Sequence, residues 1–395
     1  MSATCPVVPD SPLIVVAPDK FKGSLTAAGA AAALARGLRR RLPGARVAEH
    51  PIADGGEGSV EMVLPHGFRP VSREVSGPTG RLVTATYALR GGTALVEMAA
   101  VAGLGRLPGG APDDRTARTA STYGVGELVR DALDRGARRI VLAVGGSATS
   151  DGGAGMVAAL GARAWTASGQ APPRGGAALL DVVRLDLDDL DRRLVDATVV
   201  VACDVDNPLL GPSGAAAVYG PQKGATAETV ALLDRALARW ADVVAAATGR
   251  DVRHLPGAGA AGGLGFGAAS LLGAEVRSGI DTLLDLSGFA RAVAGADLVI
   301  VGEGSLDEQS LYGKGPIGVA AAAARAGARV VAVAGRSTVR LDRLRELGID
   351  DVHTLTELEP DPQRSMRHAA DLLETTAERI AAAWLRDRPE RTPIP

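Results

Sequence analysis

Five short runs of aliphatic and β-branched residues recur along the chain: LIVVA (13–17), RIVLAV (139–144), TVVVA (198–202), DLVIV (297–301) and RVVAV (329–333). Each is continuous rather than alternating, the pattern of a strand buried on both faces, and Ala/Leu-rich helical stretches separate them. That combination constrains the chain to an α/β fold with mostly parallel sheets flanked by helices. Helices are expected over 25–42, with Ser24 as cap, and over 122–135, 153–162, 226–248, 315–326 and 366–385. A chain of 395 residues exceeds the roughly 250–300 at which a single core stops growing, so two domains are expected. The strand–helix–strand text at both ends suggests one discontinuous Rossmann-like domain, 1–80 plus 286–395, with 81–285 inserted as a second α/β domain. A plain split near 195 is the alternative.

Four of the five runs end in polar, glycine-punctuated text: "PDKFKGS", "GGSATSDGG", "CDVDNP" and "GEGSLDEQS". Ligands of open α/β sheets bind beyond the carboxyl ends of strands, so a site is expected there, in a cleft between the domains. The stretch "VGGSATSDGGAGM" (144–156) has almost nothing to pack with, which suits a loop whose bare N–H groups approach an anion ahead of a helix.

Composition narrows the chemistry. A net charge of -2 offers no basic surplus for nucleic acid or anionic membrane, and 3% aromatics leave few platforms for stacked bases. Cys5 and Cys203 form no metal spacing or disulfide framework, and the five histidines show no zinc-type pairing, which fits a reducing, cytoplasmic setting. Two G-x-G-x-x-G matches, at Gly257/Gly259/Gly262 and Gly313/Gly315/Gly318, carry little weight among 51 glycines, and the first follows no strand. There is no P-loop and no protein-kinase signature.

Of the 43 basic residues only Lys20, Lys22, Lys223 and Lys314 are lysines, and all lie in Gly- or Pro-punctuated segments. A chain that otherwise uses arginine keeps lysine where a compact ammonium is needed. The acids cluster in the same kind of text: Asp54 and Glu57 in "ADGGEG", Asp151 in "SDGG", Asp204, Asp206 and Asn207 in "CDVDNP", Glu303, Asp307 and Gln309 in "GEGSLDEQ". Turn chemistry accounts for any one of them. Four together suit Mg²⁺, which takes one or two carboxylates and completes its shell with water and phosphate oxygens.

In their order along the chain, "APDKFKGSLTA", "PIADGGEG", "GGSATSDGGAGM", "CDVDNPLLGPSGA", "GPQKGA", "LPGAGAAGG", "ADLVIVGEG" and "GKGPIGVA" resemble the bacterial glycerate kinase family over residues 13–385. The resemblance implies a two-domain α/β enzyme that uses ATP and Mg²⁺ to phosphorylate D-glycerate, usually to 2-phosphoglycerate. The chain departs from the family pattern at Lys20 (usually Ser), Gly23 (usually Glu), Ser150 (usually Asn) and Ser305 (usually Arg). With that reaction in view, Asp151 or Asp307 is expected to serve as hydroxyl base, and Asp204, Asp206 and Asn207 to lie near the metal. Lys22, Lys223 and Lys314 would meet phosphates or the substrate carboxylate. The remaining ATP- or substrate-binding candidates are Asp19, Ser24, Asp54, Glu57, Gly145, Gly146, Ser147, Gly152, Gln222, Glu303 and Gln309. A kinase of another small hydroxy acid is the alternative enzyme. A non-catalytic sensor of a sugar acid or nucleotide is the alternative class, disfavoured because a sensor needs neither metal nor base. Small-molecule partners are expected, without nucleic acid or membrane, in a monomer or a homodimer.

Overall fold

The structure is a computed structural model and describes residues 11–308, 310–311 and 315–387. Gln309 and Lys314 lie outside the described residues. The chain is α/β, as its periodicity requires, and falls into two compact units, Met1–Ala53 with Leu284–Pro395 and Asp54–Leu283. The described strands are β1 (Leu13–Pro18), β2 (Arg46–Glu49), β3 (Arg69–Ser76), β4 (Leu82–Arg90), β5 (Thr93–Glu97), β6 (Arg139–Ala143), β7 (Arg163–Thr166), β8 (Val182–Asp186), β9 (Thr198–Ala202), β10 (Glu275–Arg277), β11 (Leu298–Leu306), β12 (Arg329–Ser337) and β13 (Asp351–Thr354).

In the terminal unit the strand order is β13-β12-β11-β1-β2, every neighbour parallel. Ile14, Val15, Val16 and Ala17 of β1 and Leu298 through Val301 of β11 are fully buried, which is why their apolar runs do not alternate. The helix Ala27–Arg41 is capped by Thr26, whose hydroxyl accepts from Gly29 N. The expected cap, Ser24, instead donates to the Met366 carbonyl at 2.6 Å, because Phe21 and Leu25 close a small turn before the helix begins. The expected helix 366–385 is two helices, Pro362–Arg367 and Ala369–Asp387, broken at His368.

The central unit holds a six-stranded sheet, β10-β9-β6-β5-β4-β3, with β10, β9, β6 and β5 parallel and β4 and β3 antiparallel at one edge. Residues 54–80, expected with the chain ends, lie in this unit because β3 pairs along its whole length with β4, from Arg69↔Leu89 to Ser76↔Leu82. A separate antiparallel pair, β7-β8, follows the helix Ala154–Ala159, which ends earlier than the sequence suggests.

Candidate functional site

In the central unit, chemistry collects where the parallel strands end. Beyond β9 comes Asp204, beyond β6 the loop 145–153, beyond β10 Ser278 and Gly279, and Glu97 is the last residue of β5. Glycine makes this crowding possible. Gly145 donates its N–H to the Gly55 carbonyl, and a Cβ on Gly145 would lie 2.6 Å from Gly56 Cα, so the loops 54–58 and 145–147 touch backbone to backbone. The segment 257–263 does the same from another side: Gly152 N–H donates to the Gly262 carbonyl, and a Cβ on Gly262 would sit 1.9 Å from the Thr149 oxygen. The "GAGAAGG" text therefore serves close backbone approach. Ala261, Gly262 and Gly263 follow one another in left-handed conformation, and Ala261 (φ 52°) is the one described non-glycine residue with positive φ.

Asp204 is the unusual acid of this cluster. Its Oδ1 accepts from Gly279 N (2.8 Å) and Ser278 Oγ (3.2 Å), while its Oδ2 is buried with no hydrogen-bond partner. Burial pushes its carboxyl up to about 6, opposed by the Gly279 N–H and reinforced by the charge of Asp54. A Cβ at Gly279 would reach 2.7 Å from that oxygen and 2.6 Å from the Asp54 carbonyl, so only glycine fits between the two aspartates. Asp54 is half-buried and accepts from Gly56 N through Oδ1. Two hard carboxylates, one with a buried bare oxygen, are the donor set a magnesium ion needs when phosphate and water complete its shell. Among the described residues no cluster of three or more His, Cys, Asp or Glu is arranged around a metal position.

The other residues of "CDVDNP" are disposed differently. Asn207 spends its amide internally, donating to the Ser213 carbonyl and accepting from Tyr219 Oη at 2.6 Å, and Asp206 is exposed. The expected metal trio thus separates, and Asp54 is the carboxylate that stands with Asp204.

Asp151, expected as a base, is 1% exposed. Its carboxylate accepts from Thr122 N, Thr122 Oγ1, Gly153 N and Gly155 N, and burial pushes its carboxyl up against those four donors. An acid so enclosed is not placed to take a proton from an incoming hydroxyl. Lys223 is likewise 1% exposed, and its Nζ donates to the Thr149 carbonyl at 2.6 Å, so it does not reach outward to a phosphate. Burial lowers its ammonium to about 7, with Asp151 pulling the other way. Thr149 Oγ1 and Ser150 Oγ are buried without partners in the same loop. Gly146 and Gln222 are exposed, Gly145 half-buried, Ser147 and Gly152 buried, and Glu57 exposed. The sequence reading missed Glu97, which is 6% exposed and accepts from Gly58 N and Val60 N at the start of the helix Ser59–Val63. A carboxylate closing the apolar run "TALVE" was the available signal.

The terminal unit has its own polar strand ends. Its strand order reverses direction between β1 and β11, the switch point at which open α/β sheets take ligands. There Asp19, 8% exposed, donates its N–H to the Gly302 carbonyl, and its Oδ1 accepts from Lys20 N. Glu303 lies one residue further along β11, and Asp307 follows the strand, half-buried, its N–H donating to Ser310 Oγ. Lys22 is exposed, in the turn after β1. Ser305 on β11 pairs with Arg336 on β12, whose Nε donates to Ser305 Oγ at 3.1 Å. A guanidinium therefore stands at the strand end where residue 305 itself carries none.

Residues 14–385 match the model of the Glycerate kinase family. The chain is 44% identical to a glycerate kinase of Halalkalibacterium halodurans over 94% of this chain and 98% of that protein. It is 40% identical to the glycerate 2-kinase of Escherichia coli, over 93% and 97% respectively. It is also similar to a crystal structure from Salmonella typhimurium LT2, of a protein assigned as glycerate kinase 2, with a TM-score of 0.83, 42% identity and coverage of 95% of this chain and 99% of that one.

Proposed function

The chain belongs to the glycerate kinase family, and from that premise we propose that it transfers the γ-phosphoryl group of ATP to D-glycerate, giving 2-phosphoglycerate and ADP with Mg²⁺ as cofactor. The observation that carries the metal-dependent reading is the bare, buried Oδ2 of Asp204 beside Asp54: an uncompensated buried carboxylate oxygen is costly unless something positive meets it. Asp204 and Asp54 would hold the ion, which when bound supplies neutralisation of phosphate charge. Protein work in this reaction is mostly positioning. The loop 145–153, its buried side fixed, is the phosphate-facing wall we assign. Asp307 is the carboxylate we assign to the hydroxyl, since Asp151 is enclosed. As the glycerate oxygen bonds to phosphorus and the bond to ADP breaks, Asp307 accepts the hydroxyl proton. Lys22, with Lys314, is assigned to anionic groups of the substrates, together with Asp19, Glu303 and Gln309 as polar neighbours. Arg336 supports glycerate over an uncharged alcohol, because it offers a guanidinium for a carboxylate beside Ser305.

Incubation with Mg²⁺, ATP and D-glycerate, followed by phosphorus NMR, tests the reading. The expected result is stoichiometric ADP and 2-phosphoglycerate, abolished by EDTA. A 3-phosphoglycerate signal overturns the regiochemistry. Turnover with another hydroxy acid but not glycerate overturns the substrate.

A further inference from the structure

We infer that Lys223 is a positioning residue, which fixes the loop 145–153 from its buried side through the Thr149 carbonyl and touches no substrate. The inference rests on the kinase reading only for its kinetic readout.

Lys223 closes the 3-10 turn Pro221–Lys223, and its own N–H donates to the Gly220 carbonyl. The next residue, Gly224, has φ of +90° and lies so close to the Asp113 backbone that a Cβ there would come within 2.6 Å of Asp113 N. A turn pinned on both sides presents the side chain in one direction. The amine then meets the Thr149 carbonyl at 2.6 Å, a contact between residues 74 apart in sequence.

Peptide geometry converts that contact into an orientation. In a trans peptide the carbonyl and the following N–H point in opposite directions, so drawing the Thr149 oxygen toward Lys223 turns the Ser150 N–H away from it. A second tether acts further along: Trp240 Nε1 donates to the Gly152 carbonyl at 3.1 Å. Between the two, Asp151 gathers the N–H groups of Gly153 and Gly155. Two side-chain donors thus fix two peptide planes of one glycine-rich loop, which has no side-chain bulk of its own to fix them. Arginine could not replace the lysine, since its guanidinium is larger, planar and unable to shed its charge in a buried site.

The test compares Lys223→Met with Lys223→Gln, the second keeping a donor on a side chain one bond shorter, which restores the link by a small shift or through one bridging water. Lys223→Met is expected to lower kcat by about 10²-fold with KM for glycerate changed less than about threefold, and Lys223→Gln to recover at least about tenfold of that loss. A normal kcat in folded Lys223→Met overturns the inference. Equal loss in both variants also overturns it, as a direct ammonium contact would behave that way. If Lys223→Met does not fold, Lys223→Gln decides alone: kcat within about tenfold of wild type supports the tether, and a loss of about 10²-fold or more overturns it. Should the wild type fail to phosphorylate glycerate, the family reading fails separately. Amide hydrogen exchange of residues 149–153 then decides, with protection lost in Lys223→Met and kept in Lys223→Gln supporting the tether, and equal protection overturning it.

Discussion

Asp151 and Asp204 stand in sequence text of the same kind, a carboxylate among small residues just past a buried strand, and the fold treats them in opposite ways. Around Asp151 the protein supplies four donors and closes over the carboxylate. Around Asp204 it supplies donors to one oxygen and leaves the other bare. The first carboxylate is spent on holding a loop in shape. The second keeps an electrostatic demand that the polypeptide does not meet, and the proposed metal role rests on it. Asp151 is fully enclosed and Asp204 only half-buried, and the two differ also in the number of lone pairs left over.

Substitution at both positions is the strongest way to break this contrast. Asp204→Asn should reduce kcat/KM by on the order of 10³-fold, about 4 kcal/mol of transition-state stabilisation, and raise the Mg²⁺ concentration needed for half-maximal rate. Its melting temperature should hold or rise, because a bare buried charge has been removed. A collapse in melting temperature with unchanged Mg²⁺ dependence would place Asp204 with Asp151 as a structural acid.

Asp151→Asn should show the reverse. The amide oxygen can take the place of only one carboxylate oxygen, so while it keeps Thr122 and Gly155 the new NH2 faces the Gly153 N–H donor to donor, and a loss of about 2 kcal/mol in chemical denaturation is expected. The Mg²⁺ requirement of the folded fraction should be that of the wild type. Unchanged stability with lost turnover would return Asp151 to the role of base.

The smallest effect sharpens the same comparison from behind the loop. Ala261 holds a left-handed conformation where its neighbours are glycines, at a cost of about 1–2 kcal/mol that exceeds the roughly 0.5–1 kcal/mol by which glycine loosens the unfolded chain. Ala261→Gly is therefore expected to raise stability by roughly 0.5–1 kcal/mol with activity retained. A drop in stability would mean that the methyl group contributes packing greater than the strain.

The sequence made the parallel strands legible because burial on both faces leaves an unbroken apolar run, as in LIVVA and TVVVA. Strands with one exposed face were not: Arg69–Ser76 and Leu82–Arg90 mix charge with apolar residues, and only their pairing, set by a turn at Gly77–Arg81, makes them strands. For the site, the lysine argument singled out residue 223 as a position where arginine is avoided. Whether such a lysine faces a phosphate or the underside of a loop depends on what packs over it, which no local pattern records. The same holds for Gly262 and Gly263, whose partners Thr149 and Gly152 are more than a hundred residues away in the chain. Ser24 was the expected cap, and Thr26 takes the role because the turn closed by Phe21 and Leu25 comes before the helix.

The backbone-on-backbone contacts of Gly145 with Gly56 and of Gly262 with Thr149 have a dynamical consequence. Positional blur in most binding sites arises from side chains hopping between staggered wells on the picosecond-to-nanosecond scale. Where main chain abuts main chain with no Cβ between, there are no such wells to hop between, and the separation of the loops is governed by bond lengths and planar amides. Warming then leaves the register of these loops nearly constant until the unit loses its structure cooperatively.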